Sequence, residues 1–318
     1  MPEFFYHASH EQFSPSDLLS YAQLAEAEGF HGCHASDHFH PWSENQGNSG
    51  FVFSWLGAAM EATRFPFSVI TAPGQRYHPA IIAQAIGTLL QMYPDRLAVS
   101  LGSGEALNEC ITGDAWPEKP VRNKRLRESA ALICRLLAGE EVSSAGLVRI
   151  HRAKLYTRPK SPTPLMCAAL SQDTAAWAGT WADGLLTCYK SDGKLKETIN
   201  LFRSNGGTNK PVHVKLTFSY AQDERFARMD AYHQWRFHCI DDARLAEIDS
   251  VQAFDRISEE ITLEQVVSSL PISSSTDYFV PLIHEIMEAG ADRIILHNVN
   301  RNQTDFIHDF GKNIINRM

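Results

Sequence analysis

Side by side in Ser36-Asp37-His38-Phe39-His40-Pro41-Trp42, a carboxylate and an imidazole form the most reactive-looking pair in the chain. An imidazole changes its protonation near neutral pH, and an adjacent carboxylate biases it toward the charged form. Such a group can take a hydroxyl proton while hydride leaves the same carbon. The plainer reading makes Asp37 a loop cap and His38 a surface histidine. Glu105 is a second candidate, as acid or electrostatic partner, because it follows the glycine-rich run Gly102-Ser103-Gly104. Gly102 and Gly104 let the backbone approach a phosphate with its N–H groups inward, although a tight turn needs the same glycines. The helix start Leu170-Ser171-Gln172-Asp173 is another possible anion site, unless Asp173 caps that helix itself.

Each of these groups lies just past a run with strand character, so the elements that position them come next. Phe4–Ala8 reads as a strand, and Ser14 then caps a helix with Pro15 in its first turn and Gly29 past its end. Further strands are expected at Gly32–Ser36, Phe65–Thr71, Leu97–Leu101, Leu165–Ala169, Leu185–Cys188, Val212–Phe218 and Arg293–His297, with helical patterns between them. A β-hairpin over Val142–Tyr156 interrupts the alternation, and polar, helix-like residues 240–275 are extra to it. The fold class is therefore α/β, a single (β/α)₈ TIM barrel over residues 1–318 with insertions after strands four and seven. An open Rossmann-type sheet is the alternative, but no strand runs into G-x-G-x-x-G. Barrel enzymes keep their chemistry at the C-terminal strand ends, which is where His38, Glu105, Ser171, Lys190 and His297 fall.

Composition narrows the partners. The chain has 318 residues, 44% of them hydrophobic, enough for a large core. A net charge of -8 speaks against nucleic acid, which selects basic surfaces, and favours a small-molecule substrate. Neither a signal peptide nor an apolar run near the length of a membrane span is evident. Six scattered cysteines without a C-x-x-C pair read as reduced thiols of a cytoplasmic protein. His38-x-His40 has the histidine spacing of zinc-dependent barrel hydrolases. The other strand ends offer Ala169, Lys190, Tyr220 and His297, an incomplete ligand set, so no metal is expected.

Several segments, in order, resemble one family. Ser36–Trp42 is similar to the S-D-H-F-x-P-W motif of coenzyme F420-dependent glucose-6-phosphate dehydrogenases, which are luciferase-like barrels. Gln75-Arg76-Tyr77-His78-Pro79-Ala80, Tyr93-Pro94-Asp95-Arg96, Gly102–Glu109, Ala115-Trp116-Pro117 and Arg125–Ser129 continue the likeness. It is close over residues 5–140 and thins through Trp177–Gly184. The resemblance implies a flavin- or deazaflavin-dependent oxidoreductase in which His38 is the base, Glu105 the acid near the cofactor ring, and Trp42 a stabiliser of the reacting groups. It further implies that Asp37 contacts the cofactor, that Ser68-Val69 forms a non-proline cis peptide behind the ring, and that Ser103 and Gly104 hold the phosphate. A homodimer is also expected.

Two departures refine the expectation. Ala169-Leu170-Ser171 replaces the family's glycine pair at the cofactor phosphate, leaving Ser171 as a contact and tipping the expected cofactor toward FMN over coenzyme F420. Lys190 matches the first basic residue of the sugar-phosphate site, but Ser268-Ser269 lies where an arginine should be. A dianionic phosphate wants several charged donors, so the expected substrate is a small alcohol or carbonyl other than glucose 6-phosphate. A luciferase-like FMN monooxygenase is the alternative within the family.

Overall fold

The computed structural model describes residues 2–318. Eight parallel strands close into a barrel: β1 (Glu3–Ala8), β2 (Gly32–Ala35), β3 (Phe67–Thr71), β4 (Leu97–Leu101), β5 (Leu165–Ala168), β6 (Gly184–Cys188), β7 (Val212–Tyr220) and β8 (Arg293–Asn298). Each pairs with the next, β8 pairs with β1, and β6 with β7, so the sheet has no edge there. The expected strands are all present, with ends shifted by up to two residues. β3 starts at Phe67 rather than Phe65, and β7 continues to Tyr220.

Strand alternation divides the side chains between two cores. Phe4, Tyr6 and Ala8 of β1, with Val212, Val214, Leu216 and Phe218 of β7, pack outward against the helices. The alternate positions fill the barrel, where Phe5, Leu186 and Ile295 form an apolar layer. Gly32 makes room for it: a Cβ there would lie 2.3 Å from the Phe5 ring. Toward the mouth the filling turns polar, with His7 against His297 at 4.2 Å and against His34 at 5.4 Å between ring centroids.

The helices follow their caps. Ser14 accepts from the Asp17 amide and opens Pro15–Ala27, as expected. After β4 come a short helix, Ala106–Glu109, the long helix Lys119–Leu137 and a hairpin, Val142–Ala145 with Arg149–Ala153. The extra segment after β7 begins sooner than residue 240. Asp223 caps a helix, Glu224–Trp235, whose Ala231 and Trp235 share a small core with Phe237, Leu245, Val251, Phe254, Val266 and Leu270. That core makes the segment one unit lying over the barrel mouth, and its spacing in the sequence is too irregular to announce it.

Candidate active site

His38 leaves β2 into the mouth, and both of its recorded polar neighbours lie at Nδ1. Glu11 Oε1 is 3.5 Å away and the Asn108 side-chain nitrogen 3.2 Å. Asn108 is held by the Phe39 and His40 amides, which donate to its oxygen at 2.8 and 3.1 Å. Nε2 is thereby left for a substrate. Neutral Nδ1 either accepts from the Asn108 side-chain nitrogen or turns its own proton toward Glu11 Oε1, and only the second form leaves Nε2 free to act as a base. Burial opposes the Glu11 charge, but His38 and the hydroxyls of Ser9 and Ser36, each donating at 2.8 Å, hold its carboxyl below the ordinary value. Burial lowers the proton affinity of His38, while Glu11 pushes the other way.

Asp37 acts on His38 through its charge alone, favouring the protonated imidazole. Its carboxylate is taken by the Thr71 hydroxyl at 2.7 Å, the Arg76 guanidinium at 3.2 Å and the Tyr77 hydroxyl at 3.3 Å. Arg76 also donates its amide to Glu109 at 2.8 Å, tying the loops after β2, β3 and β4 together. Glu11 went unnoticed because the loop after β1 carries no motif, although it too follows a strand end.

Glu105 stands at the N-cap of Ala106–Glu109 without making a cap bond, so its carboxyl stays free at the mouth. Burial pushes it up to about 8, helped by the charges of Glu11, Glu109 and Asp242 and opposed by Lys215. At neutral pH it is an acid with a proton to give. Gly104 has φ +80°, and a Cβ there would come within 2.8 Å of Glu109. The Gly102 amide is spent on the Thr71 carbonyl, whereas those of Ser103 and Gly104 have no acceptor among the described residues. Two free amides on a left-handed turn form an anion-binding concavity.

Trp42 closes the site from above. Its ring lies 4.8 Å from His38, stacks on Phe237 at 5.5 Å and 22°, and meets Phe254 edge-on at 5.2 Å. The wall is thus aromatic and comes from the extra segment. Lys190 reaches the same mouth, but Asp242 of that segment pairs with its ammonium. Burial works against the Lys190 charge, and the Asp242 hydrogen bond outweighs it, raising its proton affinity.

Three further sequence candidates have surroundings of their own. The Ser68–Val69 peptide is trans, for no cis peptide occurs among the described residues. Regular pairing of both residues with β4 sends Ser68 inward, 2.8 Å from His34 Nδ1, and Val69 outward into the helix-facing core. Ser171, not Asp173, caps Gln172–Gly179, accepting from the Thr174 amide at 3.3 Å. His40 turns its Nδ1 to the Leu107 carbonyl at 2.9 Å, and no group of three or more metal-ligating side chains forms among the described residues. A cavity of about 350 Å³ opens at the opposite end of the barrel, lined by Arg96, Leu97 and Arg293, far from this constellation.

Residues 2–268 match the family model described as luciferase-like monooxygenase. The chain belongs to that family. An F420-dependent glucose-6-phosphate dehydrogenase of Nakamurella multipartita is 33% identical over 99% of this luciferase-like chain and 96% of its own. The enzyme of that description in Mycobacterium tuberculosis is 32% identical, with 98% and 97% covered. Among solved structures, an F420-dependent secondary alcohol dehydrogenase in complex with an F420-acetone adduct superposes with a TM-score of 0.91 at 29% identity, covering 99% of this chain and 98% of that one. This member of the luciferase-like family is an enzyme, an oxidoreductase. Among the described residues no helix is long and apolar enough to cross a membrane.

Proposed function

We propose that the enzyme transfers hydride between coenzyme F420 and a small, uncharged secondary alcohol or its ketone. The observation that carries this reading is the mouth itself: His38, backed by the Glu11 carboxylate, beneath the aromatic wall of Trp42, Phe237 and Phe254, with Lys190 neutralised by Asp242. A sugar phosphate would find Lys190 already paired and would face the Asp242 carboxylate. The likeness to a secondary alcohol dehydrogenase supports the same substrate class.

For the cofactor, the free amides of Ser103 and Gly104 suit a phosphate, and the protonated Glu105 and unpaired Lys215 suit a polar ring edge. Ser171 is engaged as a helix cap, so the fifth loop offers less than its position suggests. When bound, F420 supplies a two-electron hydride acceptor. His38 takes the alcohol proton through Nε2, Glu11 balances the imidazolium, Trp42 excludes water, and Glu105 donates a hydrogen bond. Similarity to F420-dependent relatives over nearly the whole chain outweighs the altered phosphate loop, so F420 is proposed over FMN. A homodimer remains part of the proposal and is checked by sedimentation.

Fluorescence titration with F420 and FMN, followed by assay of 2-propanol, larger secondary alcohols and glucose 6-phosphate, tests the reading. Micromolar F420 binding with turnover of a neutral alcohol is expected. Preferred FMN binding with oxygen consumption would select the monooxygenase, and efficient glucose 6-phosphate oxidation would overturn the substrate class.

A further inference from the structure

Outward packing of Val212, Val214, Leu216 and Phe218 leaves His213, Lys215 and Thr217 of β7 pointing into the barrel. His213 is buried, whereas Lys215 is only partly so. Lys215 stands level with Cys188 on one side and, on the other, with Ile295 of the apolar layer that fills the barrel. A lysine in that position has one way to keep its ammonium hydrated, which is to extend toward the open mouth.

A cation inside a barrel is ordinarily matched by a carboxylate. The carboxylates around this mouth are engaged elsewhere: Glu11 with His38, Asp37 and Glu109 with Arg76, and Asp242 with Lys190. Glu105 is the exception, and it holds its proton to about pH 8. The neighbouring His7, His34 and His297 are bases, not anions. Among the described residues no side chain forms a hydrogen bond or ion pair with the Lys215 ammonium. The mouth therefore holds a fixed positive charge whose partner must arrive with the reaction.

We propose that Lys215 is the counter-charge for the negative charge that hydride transfer delivers to the cofactor ring. This rests on the hydride-transfer reading above. As alcohol becomes ketone, the C–H bond breaks with both its electrons, the O–H proton passes to His38, and the C=O bond forms. The hydride carries one unit of negative charge, which a bound acceptor would take up. A preorganised cation in a water-poor pocket stabilises such charge without reorganising when it appears. The alternative source of an anion, a carboxylate on the substrate, would use the same ammonium before the reaction rather than during it.

Lys215→Met and Lys215→Arg, each checked for a native melting transition, separate these cases when oxidised and reduced F420 are titrated under anaerobic conditions. Lys215→Met is expected to lose about tenfold in its preference for reduced over oxidised F420, a fall of about 30 mV in the bound two-electron potential. Lys215→Arg should restore most of it. Lys215→Gln replaces the methionine variant if that one does not fold. An unchanged preference in protein that still binds F420 overturns the Lys215 assignment and leaves the cofactor reading intact. A raised KM confined to carboxylate-bearing alcohols, with the preference unchanged, overturns it in favour of a substrate anchor. Wild-type protein that binds neither F420 nor FMN sinks both readings together.

Discussion

At His38, burial weakens the imidazole as a proton acceptor and the Glu11 carboxylate strengthens it, so in the proposed reaction the base is the pair. A positioned base contributes about 10²–10⁴-fold, and His38→Ala is expected to lose turnover in that range while retaining F420 affinity. Equal losses in binding and turnover would make His38 a structural residue. Neutral His38 is needed for alcohol oxidation, so activity should fall as pH drops through its depressed value. Glu11→Gln removes the opposing charge and should move that acid limb to lower pH. Glu105 brings the alkaline limb, near 8, which should disappear in Glu105→Gln if its proton matters. A limb unmoved by either substitution would reassign that titration. His38, Trp42 and Glu105 were legible because motifs surround them. Glu11 and Lys215 were not: the first stands in a loop without a motif, and the second interrupts an apolar strand in a way that suggests surface exposure. Only the closed barrel shows that both point to one space.

Among the elements, the loop after β4 depends most on one backbone conformation. Gly104 sits at φ +80° with Glu109 against it, so Gly104→Ala must strain the turn or displace Glu109 from Arg76. Such a change typically costs more than about 1 kcal/mol, and the free amides of Ser103 and Gly104 would lose their shared orientation. Cofactor affinity should fall more than the melting temperature does; the reverse order would mean that the loop is a fold element and no phosphate site. The eight strands could be read from periodicity because buried parallel strands are short apolar runs bounded by turn residues. The segment over the mouth could not be bounded that way. Trp235, Phe237 and Phe254 face a private core at intervals set by short helices and turns rather than by one repeating period. It is nonetheless bolted down, since Gln234 accepts from Gln12 at 3.1 Å and Ser43 donates to Asp255 at 2.5 Å.

Over the whole molecule, the buried histidines set the response to acid. His7, His34 and His297 are held neutral, chiefly by burial, with proton affinities well below the ordinary value of 6.5. Their unfolded forms bind protons first, so this stability is complete above pH 6.5 and is lost as pH falls from there toward the depressed values. Each contributes up to about 1.4 kcal/mol per pH unit in that window. Glu105, raised to about 8, has the opposite sign over the same range and offsets roughly one of them. Urea unfolding should show a midpoint nearly level between pH 7.5 and 6.5 and falling from 6.5 to 5.5, and His7→Phe should flatten the fall. A midpoint indifferent to pH would mean that these rings are hydrated.

The pairing of β1 with β8 has one more consequence, and it concerns time. Residues 3–8 leave the ribosome well before residues 293–298, yet one flank of their strand waits for those later residues. Until then the emerging barrel shows two unpaired strand edges, and Gln12 lacks the Val299 carbonyl that receives its side-chain amide at 2.8 Å. The nascent enzyme therefore cannot assemble its own mouth until that last strand has been made, and a chain stopped before Arg293 should be found with chaperones or in the insoluble fraction. Soluble, cofactor-binding protein from such a truncation would show that the last strand merely decorates a barrel already formed.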